Sequence, residues 1–88
     1  MNIEYDPKKN QRNIKDRGLS FEMVQQFEWE GALVLEDNRK DYGETRYCAL
    51  GYIDLRLYHI VVTYRNDIIR VISLRKANKR EVKIYAET

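Results

Sequence analysis

Two runs dense in β-branched and aromatic residues, 57–64 and 68–76, stand on either side of Arg65-Asn66-Asp67. Such residues fit a pleated, half-buried surface. The short polar gap between the runs fits a hairpin turn, although the usual glycine is missing. In a chain of 88 residues there is room for one domain over residues 1–88 and one modest core, since so short a chain buries roughly 60–65% of its unfolded surface. The run 57–64 is therefore expected to be a central strand, with 68–76 as its partner.

Signals for the remaining elements are local. Ile3-Glu4-Tyr5 alternates as a short edge strand. Asp6-Pro7 supplies an N-cap and then proline at the first helical position, which predicts a helix from Pro7 to about Asp16, stopped by Gly18. Ile14 is its only large apolar residue, so Lys8, Lys9, Arg12 and Lys15 belong in water. Ser20 reads as a second N-cap, with Leu19 and Val24 at the spacing of a hydrophobic staple. Met23, Val24 and Phe27 then form the stripe of a second short helix, which Gly31 ends. Residues 32–35 are a short apolar run, and 37–44 a polar loop containing Gly43. Residues 46–52 alternate, and Gly51 suggests a bulge or a close approach. Asn78 caps a last helix carrying Val82, Ile84 and Tyr85, with Glu81 completing a capping-box-like pair. The expected order is β-α-α-β-β-β-β-α. This is an α+β architecture, with a meandering antiparallel sheet, two N-terminal helices and one C-terminal helix.

The charge of +2 conceals an uneven distribution. Residues 21–45 hold seven carboxylates against two cations, whereas Arg70, Arg75, Lys76, Lys79 and Arg80 place five cations in residues 70–80 without a carboxylate. Cations gathered where a strand hands over to a helix suit a polyanion, and RNA is the first choice.

Several chemistries have no support. His59 is the sole histidine, which removes a two-histidine ribonuclease mechanism within one chain. Inside Tyr58-His59-Ile60-Val61 it reads as a partly buried, hydrogen-bonded residue rather than a catalyst. Cys48 is the only cysteine and fits a small core residue on a strand in a reducing compartment. No metal motif or glycine-rich nucleotide cradle is present. Asp37, Asp41 and Glu44 make a solvated acidic loop a simpler reading than a magnesium site. No cofactor is expected. The polar N-terminus has no secretory apolar region, and no apolar run approaches the ~18–20 residues of a spanning helix. A cytoplasmic protein without membrane contact is expected.

RNA cleavage needs neither histidine nor metal if cations stabilise the phosphorane and other groups handle the two protons. Arginine suits the first role, because its planar fork binds phosphate oxygens bidentately. A crowded lysine, or a tyrosine near cations, suits the others. Alternation puts Arg75 and Arg70 on opposite faces of their strand unless a bulge intervenes. It groups Tyr58, Ile60, Val62 and Tyr64 on one strand, and Arg46, Cys48, Leu50 and Tyr52 on another. The candidate site is Arg46, Tyr64 and Arg75, with Lys76, Arg80 and Glu81 at the strand-to-helix corner. Lys8, Lys9, Arg17, Arg70 and Lys79 are candidate RNA-backbone contacts. The competing structural reading pairs Arg46 with Glu44 or Asp37 and leaves Arg80 and Glu81 to stitch the last helix to the sheet.

Three blocks also carry a resemblance. They are Glu4-Tyr5-Asp6-Pro7-Lys8-Lys9 with Asn13, Gly18 and Ser20-Phe21-Glu22; Glu36-Asp37-Asn38-Arg39 with Asp41-Tyr42-Gly43-Glu44-Thr45-Arg46; and Val61-Val62-Thr63-Tyr64-Arg65 with residues 69–77, Arg80, Glu81 and Tyr85. Together they resemble the BrnT toxins of bacterial type II toxin–antitoxin systems, in order over nearly the whole chain. The resemblance implies a RelE-like fold, ribonuclease activity that halts translation, and neutralisation by a BrnA-type antitoxin in a hetero-oligomer. DNA would be met only through the antitoxin's ribbon-helix-helix domain. It points to Arg46, Arg75, Arg80 and Glu81 as site residues. The family commonly has Lys-His before the glycine, where this chain has Asp16-Arg17; Arg17 can bind phosphate but is no base at neutral pH. The alternative expectation is a non-catalytic RNA- or protein-binding module acting through the same basic corner. A partner-dependent DNA-binding subunit ranks behind both, since no recognition helix stands out.

Overall fold

A computed structural model describes residues 2–39 and 41–88. Lys40, within the expected polar loop, lies outside the described residues. The elements run β1 (Ile3–Glu4), α1 (Pro7–Arg17), a 3₁₀ helix (Phe21–Gln26), β2 (Leu33–Asp37), β3 (Arg46–Ile53), β4 (Arg56–Arg65), β5 (Ile68–Lys76) and α2 (Lys79–Ala86).

The β4–β5 hairpin closes without glycine. Asn66 and Asp67 take φ values of 51° and 65°, the two successive left-handed positions that a type I′ turn requires. Asparagine and aspartate visit that region more readily than other side-chain-bearing residues. The five strands lie in the order β1-β5-β4-β3-β2. From β2 to β5 each pairing is antiparallel, but β1 runs parallel to β5. The sheet is thus mixed, which corrects the purely antiparallel expectation. The chain leaves β1 through α1 instead of a hairpin, and two alternating residues carry no information about strand direction.

The second expected helix is a 3₁₀ helix, so a single α-helix precedes β2. Ser20 does cap it, with its hydroxyl accepting from Glu22 N. The Met23 N→Ser20 O and Phe27 N→Val24 O bonds are i→i+3 links, and the buried residues Phe21, Val24 and Phe27 recur every three positions, as this tighter helix requires. α1 begins and ends as its sequence demands: Asp6 accepts from Lys8 N, and Gly18 closes the helix in the left-handed region at φ 70°. It is pinned by two amides. Asn10 Oδ1 accepts from Phe21 N at 2.8 Å. Asn13 Nδ2 donates to Leu19 O at 2.9 Å and to Leu74 O at 3.0 Å.

α1 and the 3₁₀ helix cover one face of the sheet, the helix face. Its core comprises Leu19, Phe21, Val24, Phe27, Ala49, Ile53, Tyr58, Ile60, Val62, Val71 and Leu74. Gly51 provides the close approach its position suggested: a Cβ there would meet Phe27 Cζ at 2.5 Å.

One irregularity decides which side chains share the opposite, open face. Val61 faces Ser73 while Val62 faces Val71, which leaves Ile72 as the extra residue of a β-bulge. The bulge keeps both Val71 and Leu74 in the core. It also returns Arg70 to the face that bears Arg75, so the condition attached to their separation is met.

Candidate active site on the open face

Strand register assembles this face in rows. Leu33, Leu50, His59 and Arg75 lie across the sheet in one row, and Leu35, Cys48, Val61 and Ser73 in the next. Asp37 and Arg46 continue the pattern towards the far end of β2 and β3.

α2 crosses the end of this face and sends Glu81 down to it. Arg75 Nη1 and Nη2 donate to the Glu81 carboxylate at 2.7 and 2.8 Å, and Nη1 also reaches Lys76 O at 3.3 Å. Guanidinium carries five N–H groups. The Nε–H and the second Nη2 hydrogen are left without a partner among the described residues. These two form a lateral fork of the kind that grips phosphate oxygens. Glu81 is bound as part of a capping box, accepting from Asn78 N at 3.0 Å while Asn78 Oδ1 accepts from Glu81 N at 2.8 Å. The capping box therefore fixes the carboxylate, and the carboxylate fixes the arginine.

His59 stands beside Arg75 in the register. Its Nε2 lies 4.0 Å from Glu81 Oε2, and its Nδ1 is enclosed without a hydrogen-bond partner among the described residues. Burial, followed by the Arg75 charge, lowers its pKa, with Glu81 opposing. The imidazole is accordingly neutral at pH 7. The Arg75 hydrogen bonds, aided by Asn78 N, bring the Glu81 pKa from its usual 4.5 to about 2. A depressed carboxylate pKa contributes stability that is complete above the unfolded value and is lost as pH falls through the folded value. Acid unfolding of the wild-type chain should therefore steepen between about pH 4.5 and 2, and Glu81→Gln should flatten that limb in a melting-temperature series.

A second polar cluster lies along the same face. Asp37 is buried, and its carboxylate accepts from Arg39 Nε and Nη2, both at 2.9 Å, and from Tyr42 Oη at 3.1 Å. The Arg39 hydrogen bonds hold its carboxyl well below the usual carboxylate range. The Arg46 guanidinium lies 4.0 Å from the Tyr42 ring centroid, and its Nε donates to Glu44 at 3.2 Å. Asp37 is thus the saturated end of β2 rather than part of a solvated loop. Among the described residues, no three His, Cys, Asp or Glu side chains gather as metal ligands, and no helix is long and apolar enough to cross a membrane. Burial pushes the Cys48 thiol pKa up, which keeps it protonated and unreactive.

Residues 5–81 match the family described as "Ribonuclease toxin, BrnT, of type II toxin-antitoxin system". The chain belongs to the BrnT family. It is a ribonuclease toxin of a type II system, and its class implies an antitoxin protein as partner. No curated protein matches the chain.

The BrnT match reaches as far as Glu81, the residue that links α2 to the open face. Of the sequence-predicted positions, Arg75 and Glu81 are in direct contact there. Arg46 shares the face but lies two strands away and four residues along, roughly 17 Å between Cα atoms from strand spacing and rise. It is held by Glu44, as the competing structural reading had it. Tyr64 is not brought to this group. It pairs with Ile69 on the helix side and packs edge-on against Tyr47 at 5.6 Å. Lys76 faces Tyr58 at the strand end and is exposed, as are Lys79 and Arg80 in the first turn of α2. Arg70 is tied to Glu4 at 3.3 Å. Lys8, Lys9 and Arg17 are exposed on α1, on the helix side of the sheet. Sequence reasoning discounted His59. Its pairing with Arg75 rests on register, but it also lies on the alternation parity opposite Ile60 and Val62, and that was the available signal.

Proposed function

We propose that this BrnT chain is a metal-independent endoribonuclease whose scissile phosphate sits against Arg75 on the open face. The observation that carries this reading is the Arg75 fork, fixed by Glu81 and left open on its Nε side, next to a neutral imidazole. The 2′-hydroxyl attacks the adjacent phosphorus and a 2′-O–P bond forms. The P–O5′ bond breaks, and the 5′ oxygen leaves with a proton from water. His59 Nε2 takes the 2′ proton, and the Glu81 carboxylate stabilises the resulting imidazolium. Arg75 balances the charge on the phosphorane. Arg46, Lys76 and Arg80 hold flanking parts of the strand, with Lys8, Lys9, Arg17, Arg70 and Lys79 as further backbone contacts. Tyr64, on the other face, has no part in the chemical step.

Cleavage of RNA by one RelE-like domain would stop translation. A BrnA-type antitoxin would neutralise it in a hetero-oligomer, and DNA would be met only through that antitoxin. Purified protein is expected to cut RNA in excess EDTA, leaving a 2′,3′-cyclic phosphate or its opened product and a 5′-hydroxyl. The rate should fall as pH drops below the depressed His59 pKa. Dependence on added metal, or products with 5′-phosphate ends, would overturn the mechanism.

A further inference from the structure

Under α1, where it meets the bulged part of β5, lies a cavity of about 220 Å³ lined among others by Lys9, Arg12, Asp16, Arg17, Ile72 and Ser73. We propose that it is a second phosphate subsite, which receives a backbone phosphate of the RNA strand away from the bond being cut. This rests on the ribonuclease reading and extends it.

Four observations carry it. First, Lys9, Arg12 and Asp16 recur at helical spacing and so share one side of α1, with Arg17 following at the helix end. Second, none of the three cations forms an ion pair with a carboxylate among the described residues, whereas Arg39, Arg46, Arg65, Arg70 and Arg75 all do. Three cations against one carboxylate leave the lining positive. Third, the site is built beforehand. Asn10 and Asn13 fasten α1 to the chain around Leu19–Phe21 and to β5, so binding an anion requires little ordering of the scaffold. Fourth, the bulge brings Ile72 and Ser73 to the wall. Among the described residues β1 pairs with β5 at Ile69 and Arg70 alone, which leaves the later part of that edge without a strand partner among them.

Size and position select the ligand. The volume, below the ~300 Å³ at which small-molecule pockets begin, admits a tetrahedral oxyanion with its ester oxygens, and three cations in the lining favour that group. Ser73, at the cavity wall, precedes Arg75 by two residues, roughly 7 Å along the strand. A single RNA strand turning over the β5 edge would meet the cavity and then the Arg75 fork.

The test uses the full-length chain and single-stranded 2′-O-methyl RNA, which binds but lacks the nucleophile. Its dissociation constant is measured against salt for the wild type, Arg12→Ala/Arg17→Ala and Asp16→Asn, with melting temperatures taken in parallel. The double variant should reduce the log–log salt slope by about 0.7, the contribution of one single-strand phosphate. Asp16→Asn should tighten binding at low salt by about threefold, the scale of one exposed charge contact. An unchanged slope in a folded double variant would overturn the proposal. So would loss of antitoxin affinity with RNA affinity intact, which would give the cavity to an acidic antitoxin side chain. A wild-type chain that binds RNA with these slopes but never cleaves it would refute the ribonuclease reading alone.

Discussion

Arg75→Ala should lower the rate of RNA cleavage by about two to three orders of magnitude, the range seen when one preorganised charge donor is removed from a transition state. Growth arrest on expression should disappear with it. The size of the effect follows from how the guanidinium is held. Two of its hydrogens are engaged by Glu81 and one by Lys76 O, so the free lateral fork has a fixed direction before any substrate arrives. Arg75→Lys keeps the charge but loses the fork and should recover only a small part of the rate. Removing Arg75 also strands the Glu81 carboxylate, so a loss of stability has to be told apart from a loss of chemistry. Arg75→Ala/Glu81→Gln separates the two: it should restore the melting temperature without restoring cleavage. Full toxicity of both Arg75→Ala and Arg46→Ala would show that the site lies elsewhere.

Gly51→Ala should be the most damaging single methyl in the molecule. The new Cβ would fall 2.5 Å from Phe27 Cζ and 2.9 Å from Cε1. Phe27 is buried and packs edge-on against Trp29 with ring centroids 4.6 Å apart, so the ring has little room to retreat. Overpacking of this kind costs about 1–3 kcal/mol. For a domain of this length that corresponds to a fall in melting temperature of roughly 10 °C. Phe27→Leu should recover part of the loss in the Gly51→Ala background while being destabilising by itself. A Gly51→Ala protein that melts within a degree or two of wild type would refute the steric account.

Local chemistry was readable in the sequence wherever a residue acts on its immediate neighbours. Asp6, Gly18, Ser20 and the Asn78–Glu81 pair all cap as their positions suggest, because a cap is a contact over two to four residues. The bounds of β5 follow from its own run of β-branched residues. Long-range features were not readable. The parallel pairing of β1 depends on where α1 deposits the chain. The placement of Arg70 on the same face as Arg75 depends on a single extra residue at Ile72, and nothing in the composition of Val71-Ile72-Ser73 announces a bulge. The sequence underrates His59 for the same reason: its neighbours Ile60 and Val61 describe a buried strand, whereas its chemical company, Arg75 and Glu81, comes from another strand and a helix. The sequence reads Asp37 as a loop residue because Arg39 and Tyr42, which make its burial tolerable, look from sequence like ordinary loop residues.

The amides of Asn10 and Asn13 that hold α1 in place carry no net charge. Added salt weakens contacts between ions far more than hydrogen bonds between neutral dipoles. The helix should consequently keep its seat at ionic strengths that strip a polyanion from its surface. Rinsing the protein free of bound nucleic acid with concentrated salt would then leave a scaffold ready to rebind when the salt is diluted.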